Sequence, residues 1–207
     1  MAAVIRGARR HLPVVVVDDG STDDTAMVSE AAGATVLRQR PNAGKGAALR
    51  AGFRHALDLG MDAVVTLDAD GQHDPDEIPR FLDSFATDRP ELVIGRRDFS
   101  AMPPVRRISN TLGGLALSAA VGRSVPDNQS GYRLIGRTLM RQLLDSDESG
   151  FEFEVEMIAR CIALGLPIAW VPIRTIYAGE PSHIRPWRHF TEFVRVTRDA
   201  RRIARGG

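Results

Sequence analysis

Val64-Val65-Thr66-Leu67-Asp68-Ala69-Asp70-Gly71-Gln72-His73-Asp74-Pro75 is the stretch whose reading decides the fold. An apolar run rich in β-branched residues reads as a buried strand, and Pro75 followed by Asp76 and Glu77 reads as the first turn of a helix. The acids therefore stand at the strand's exit. Asp68 and Asp70 are two apart, so on an extended backbone both carboxylates project to one side, where a hard cation can take an oxygen from each. Mg²⁺ or Mn²⁺ suits that spacing, because such an ion shares its coordination between one or two carboxylates, water and substrate phosphates. The plainer alternative is a pair of solvated acids in a strand-to-helix turn, where Asp is common.

The outer limits come from composition. The 207 residues, 43% hydrophobic with 27 basic and 26 acidic side chains, suit one α/β domain spanning residues 1–207. The balanced charge gives no reason to expect a nucleic-acid partner. Cys161 is the single cysteine, which excludes a disulfide framework and a cysteine-rich zinc site and favours a reducing, cytoplasmic setting. No apolar run reaches the ~18 residues of a membrane span, and the N-terminus lacks a signal-peptide core. Lys45 is the only lysine among many arginines.

In chain order, residues 1–12 read as the tail of an amphipathic helix with Val4 and Ile5 inward. Val14 to Val17 is a continuous apolar run of the kind parallel strands show when helices cover both faces. It ends in Asp18-Asp19-Gly20-Ser21-Thr22-Asp23, where Ser21, Thr22 or Asp23 can cap a helix running to about Ala32. Asp18 and Asp19 are either turn formers or ligands for the ribose and base of a nucleotide. After a short strand from Ala34 to Leu37 comes Asn42-Ala43-Gly44-Lys45-Gly46, in which small residues and a cation before a helix can let backbone amides approach phosphate. It is not a Walker A loop, since Lys45 is followed by Gly46. That helix reads through Leu59, with Leu49, Phe53, Ala56 and Leu57 on one side; the next reads from Pro75 to about Ala86. Glu91 to Gly95 is another buried strand, ending in Arg96-Arg97. Successive strand-helix units predict a doubly wound, mostly parallel sheet with helices on both faces, whose ligands bind beyond the carboxyl ends of the strands. Residues 103–121 read either as a pliable acceptor-side helix or as a buried connector, and Phe153 to Leu164 as a helix. Ile168–Val171 and Ile173–Tyr177 read as short strands broken by Pro172.

The ordered set VDDGSTDDT, NAGKGAALRAGF, LDADGQHDP, IGRR, DNQSGYR and FEFEVEM resembles a family-two glycosyltransferase of GT-A fold, within the branch of dolichyl- or polyprenyl-phosphate sugar synthases, over roughly residues 12–190. The resemblance implies a GT-A (nucleotide-diphospho-sugar transferase) domain. In it Asp18, Asp19, Asn42, Gly44, Lys45 and Asp68 line the donor nucleotide, and Asp68, Asp70 and Gln72 hold Mg²⁺ or Mn²⁺. Arg96, Arg97, Arg106, Arg107, Ser109 and Ser130 grip the acceptor phosphate; Asp70, Arg97, Asp127 and Arg133 take part in catalysis. The Ser182-His183-Ile184-Arg185-Pro186 run resembles the family's C-terminal loop, from which His183 can reach the diphosphate. The family's usual opening strand, which ends in a Pro-Ala-Tyr-Asn-Glu-like segment and lies centrally in the sheet, has no counterpart before the helix at Met1; the strands on either side of its place are expected to lack a neighbour.

The implied activity is inverting transfer of a hexose from a nucleotide sugar of the GDP-mannose or UDP-glucose type to a polyprenyl or dolichyl phosphate. A phosphate acceptor, with its second pKa near about 6, is largely ionised at neutral pH and needs no strong base. A sugar hydroxyl as acceptor needs a carboxylate base, with Asp127, Glu152, Glu154 and Glu156 as the choices; some of these glutamates are expected on the solvent side of a helix's first turn. Residues 186–207, with Arg188, Arg195, Arg198, Arg202 and Arg205 at helical spacing, read as a basic amphipathic helix that can rest on an anionic membrane surface or pack on the domain. Two other functions stand beside this one: a truncated, non-catalytic GT-A module that binds a membrane or partner, and a haloacid-dehalogenase-type phosphatase, whose strand-plus-D-x-D-G is superficially similar.

Overall fold

Apolar runs with β-branched residues form the strands, and each strand stops where acids, glycines or arginines begin. The structure is a computed structural model that describes residues 1–99, 104–150, 152–174, 200, 202 and 203, with the backbone alone at 104–106 and 109. In order the elements are α1 (Ala2–Ala8), β1 (Val15–Asp19), α2 (Thr25–Ala31), β2 (Thr35–Gln39), α3 (Lys45–Asp58) and β3 (Ala63–Thr66). A 3₁₀ turn over Pro75–Glu77 then leads into α4 (Ile78–Asp88), β4 (Leu92–Arg97) and α5 (Pro104–Val121). The chain continues through β5 (Arg133–Gly136), α6 (Arg137–Leu143), α7 (Glu152–Ala163) and β6 (Ile168–Ile173). Asp74 starts the 3₁₀ turn by accepting the Asp76 N–H at 3.0 Å, and Pro75 sits where its missing N–H costs nothing. No side chain caps α2, although Asp23 accepts the Thr25 N–H at 3.1 Å just before it.

The strands form two sheets. β1 and β2 pair in parallel, and a four-stranded sheet has the order β3-β5-β4-β6. β5 runs antiparallel to both β3 and β4, while β4 and β6 are parallel. The sheet is therefore mixed rather than mostly parallel. The cause is β5, a strand the sequence reading did not separate from the D-N-Q-S-G-Y-R segment; it enters between β3 and β4 in the reverse direction. Among the described residues β1 pairs only with β2 and β3 only with β5, so the strands flanking the expected opening strand do lack a neighbour there.

Alternation along the central strands shows that both sheet faces are covered. Leu92, Ile94 and Ile135 face one side with Phe53, Leu117, Leu139, Phe153 and Met157. Val93 and Leu134 face the other with Ala8, Ile78, Phe81 and Tyr132. Each of the fully buried Val, Leu, Ile, Phe and Met side chains among these contributes about 1.5–3 kcal/mol of transfer free energy. In α1 only Ile5 and Ala8 are buried, and Val4 is half-buried. Pro172 does not break β6: it stays in register opposite Arg96, because among the described residues β6 pairs only with β4 and a proline on such an edge forfeits no ladder bond. Residues 175–199 and 204–207, and with them His183 and most of the expected C-terminal helix, lie outside the described residues.

Candidate donor and acceptor site

β3 stops at Thr66, two residues before the first acid, so the two carboxylates do not share an extended strand. Thr66 Oγ1 donates to the Gly131 carbonyl at 3.1 Å, drawing the lead-in to β5 against the strand's exit. Asp68 rests on Gly131, where a Cβ would lie 2.5 Å from its Oδ2. Asp70 stands in the following turn, exposed, its Oδ1 accepting the Gln72 N–H at 2.9 Å while Gly71 supplies a φ of +84°. Both acids still act on one neighbour. His73 is buried between them and the ring of Tyr132, whose centroid is 5.1 Å away; its Nε2 is 3.9 Å from Asp68 Oδ2. Burial lowers the His73 pKa below 6.5 against the opposing pull of Asp68 and Asp70.

Lys45, at the start of α3, reaches the same place. Its Nζ is 2.8 Å from Asp68 Oδ1 and 3.1 Å from Glu154 Oε1. Burial opposes its charge, but the Glu154 and Asp68 carboxylates outweigh burial and raise its pKa above 10.5. Glu154 is 7% exposed at its side chain, against the expectation of a solvent-facing glutamate; Glu156 is buried too, paired with Arg160 at 2.6 Å. Both acids face inward because α7 presents them to cations mounted on its own surface and on α3.

The acids after β1 work mainly on the backbone. Asp19 accepts from Gln39 Nε2 (3.0 Å), Ala43 N (2.9 Å) and Gly44 N (2.7 Å), and its carbonyl accepts from Asn42 Nδ2 (2.7 Å). It thus fixes the Asn42–Gly46 loop beside the strand ends. Asp18 is buried and accepts the Ser21 N–H at 3.0 Å, and the bonds from Ser21 hold its pKa below 3.8.

On the side where the resemblance places the acceptor, the structure joins two residues that the sequence kept apart. Arg97, at the end of β4, forms a two-pronged pair with Asp127: Nε to Oδ2 and Nη2 to Oδ1, both 2.8 Å, with the Arg97 N–H adding a third bond at 3.2 Å. Asp127 is 2% exposed. Arg133 is 1% exposed and turns inward rather than toward the opening. Its Nε donates to Ser130 O (2.8 Å), Nη2 to Asn128 O (3.1 Å) and Nη1 to Glu154 O (2.5 Å), which makes it the clamp of the 128–131 turn rather than a substrate ligand. Ser130 is buried, and its Oγ finds no hydrogen-bond partner among the described residues. Arg96 and Arg107 are exposed. Arg106 and Ser109 lie on α5, and their side chains are outside the described residues.

The donor set fits a small hard cation. Asp68 and Asp70 offer carboxylate oxygens, Gln72 lies beside them, and an ammonium already stands on Asp68 as a stand-in positive charge. Among the described residues no three acid, histidine or cysteine side chains gather into a closed metal cage. An ion that takes its remaining ligands from diphosphate and water needs none. The sequence reading missed His73 and Gly131, and it took Glu154 only as a possible base. The dense apolar and acidic alternation of FEFEVEM and the single lysine were the available signals.

An α/β domain with acids at a strand exit and a lysine-bearing glycine loop beside them agrees with the GT-A type that the sequence motifs imply. The family model for Glycosyl transferase family 2 matches residues 2–144, and the chain belongs to that family. It is 35% identical over 181 residues to an undecaprenyl-phosphate mannosyltransferase of Micrococcus luteus, covering 82% of this chain and 74% of the relative. It is 34% identical over 177 residues to a polyprenol monophosphomannose synthase of Mycolicibacterium smegmatis, covering 77% and 65%. Among solved structures, a glucosyl-3-phosphoglycerate synthase from Mycobacterium tuberculosis in complex with Mn²⁺, UDP and glucosyl-3-phosphoglycerate superposes with a TM-score of 0.69 at 24% identity, over 96% of this chain and 71% of that one. The family match sets the phosphatase alternative aside. Among the described residues no helix is long and apolar enough to cross a membrane.

Proposed function

We propose that this glycosyltransferase moves a hexose, with inversion, from a nucleotide sugar of the GDP-mannose or UDP-glucose type to a polyprenyl or dolichyl phosphate, assisted by Mg²⁺ or Mn²⁺. The observation that carries the choice of a phosphate acceptor is the state of the carboxylates. Three of the four carboxylates weighed as a base are held in an ion pair, Asp127 with Arg97, Glu154 with Lys45 and Glu156 with Arg160. Carboxylates committed to a cation in this way are not presented to an acceptor hydroxyl, which suits an acceptor that arrives already ionised and needs no base. The relatives named for polyprenyl-phosphate sugar transfer support the same reading.

Asp68, Asp70 and Gln72 would hold the divalent ion, which supplies Lewis-acid neutralisation of the departing diphosphate. Lys45 adds a second positive charge at that subsite, and the Asn42–Gly46 loop, pinned by Asp19, lines the nucleotide. Asp127 fixes the plane of Arg97, leaving its Nη1 donors outside the pair to orient an acceptor oxygen for in-line attack, with Arg96, Arg106, Arg107 and Ser109 nearby in sequence. Arg133 and Ser130 serve the turn that shapes this side. An acceptor of this class lies at a bilayer, so the protein works as a peripheral domain on a cytoplasmic membrane face.

The two-piece sheet favours one competing reading, a non-catalytic module that binds a membrane or partner. Calorimetric titration of the full chain with GDP and with UDP, each with Mn²⁺ and with EDTA, separates the two. Metal-dependent binding of one nucleotide, lost in Asp68→Asn and Asp70→Asn variants that still fold, supports the transferase. No binding of either nucleotide by a folded sample supports the module.

A further inference from the structure

Lys45 on α3, Asp68 in the connection after β3 and Glu154 on α7 meet over one glycine. Glu154 Oε1 and Asp68 Oδ2 lie 3.2 and 2.5 Å from where a Gly131 Cβ would stand, so only a hydrogen there lets the two carboxylates approach one ammonium. The mounts of Lys45 and Glu154 are also tied together. Gly46 N donates to Ser149 O at 2.8 Å and Arg50 Nη1 donates to Glu148 O, which fixes the start of α3 to the segment that leads into α7. Lys45 takes Asp68 Oδ1, one of the two oxygens that Asp68 can offer a divalent ion.

We propose that Glu154 is a positioning residue of the donor site: it shares Lys45 with Asp68 while the site lacks a donor and retains the ammonium when a divalent ion displaces it from Asp68, and from there Lys45 passes to the donor's diphosphate. This rests on the donor-site reading above. Two carboxylates and one ammonium leave this cluster with one net negative charge. Removing the ammonium deepens that charge and frees an Asp68 oxygen; removing the Glu154 charge cancels it. Mn²⁺ affinity in the absence of nucleotide therefore ranks Lys45→Met above the unaltered protein and the unaltered protein above Glu154→Gln. Nucleotide affinity in the presence of Mn²⁺ moves the other way in Lys45→Met, because the diphosphate loses its second cation.

The test is Mn²⁺ titration of the full chain, followed by loss of the free-ion paramagnetic resonance signal, first alone and then with GDP and with UDP. Lys45→Met is expected to tighten Mn²⁺ about threefold or more and Glu154→Gln to weaken it by a similar factor, as for a charge pair near the surface. Lys45→Arg should keep the unaltered Mn²⁺ affinity. With Mn²⁺ present, nucleotide affinity should fall about tenfold or more in Lys45→Met, the scale of a lost charge-assisted contact. Equal or weaker Mn²⁺ binding in Lys45→Met, or undiminished nucleotide binding, overturns the proposal. If Lys45→Met does not fold, an unchanged Mn²⁺ affinity in a folded Glu154→Gln overturns it instead. Failure of the unaltered protein to bind either nucleotide with Mn²⁺ present overturns the donor-site reading and the hand-over with it; a reversed Mn²⁺ ranking beside normal nucleotide binding overturns the hand-over alone.

Discussion

Gly131→Ala should disable the proposed metal subsite while leaving the fold intact. The new Cβ would lie 2.5 Å from Asp68 Oδ2, 3.1 Å from its Cγ and 3.2 Å from Glu154 Oε1. Ordinary contact begins near 3.4 Å, so the Asp68 carboxylate must retreat by about 0.9 Å and the Glu154 oxygen by about 0.2 Å. Gly131 is not among the positive-φ glycines, so alanine meets no backbone penalty there. Asp68 is 38% exposed and can turn outward, which confines the stability cost to about 1 kcal/mol, the low end for added core volume. A displacement of that size separates Asp68 from Lys45 and moves the oxygen that Asp68 would offer a divalent ion. Shifts of this kind at supporting residues cost about ten- to a hundredfold in metal affinity, or about 1.4–2.8 kcal/mol. The assay is Mn²⁺-dependent nucleotide binding by calorimetry, beside a urea unfolding curve. Unchanged Mn²⁺-dependent affinity in Gly131→Ala would refute the reasoning, as would collapse of the fold.

Arg133→Met leaves the carbonyls of Ser130, Asn128 and Glu154 without their donors; at about 1–3 kcal/mol for each buried unpaired group, with partial relaxation, urea unfolding should show a loss of about 3–5 kcal/mol. A loss below about 1 kcal/mol would remove Arg133 from its clamp role. Asp127→Asn breaks the two-pronged bond between a buried carboxylate and Arg97 and should cost about 2 kcal/mol or more in the same assay, with Arg97→Lys restoring nothing because an ammonium cannot reproduce the fork. Burial pushes the Cys161 thiol up to about 12 from its ordinary 9.0. At pH 8 it should therefore ignore thiol reagents until the protein unfolds. Because the folded thiol holds its proton more tightly, its contribution to stability is complete below pH 9.0 and lost as pH rises from there toward 12, at up to about 1.4 kcal/mol per pH unit. A Cys161→Ala variant should lack that slope, and rapid labelling of the folded protein at pH 8 would contradict the burial.

The strands and helices up to β4 were legible because each rests on a local pattern: β-branched runs over residues 64–66 and 14–17, helical spacing of Leu49, Phe53 and Ala56, and proline or glycine at the breaks. The family motifs likewise stand in the sequence, since the chemistry of holding a diphosphate demands particular side chains at fixed spacings. β5 was not legible. Four residues following Tyr132 carry too short a pattern to announce a strand, and its antiparallel insertion between β3 and β4 depends on partners far away in sequence. The inward turn of Arg133 and the pairing of Arg97 with Asp127 across thirty positions had the same cause. A charge placed in a turn reads as solvated until packing around it removes the water, and only then must it find a fixed partner. The sequence by itself therefore determined the element types, the family and the acids at the exit of β3. The tertiary structure alone decided which charges neutralise one another, because an ion pair is set by distance in space, and Lys45, Asp68 and Glu154 have no spacing along the chain that brings them together.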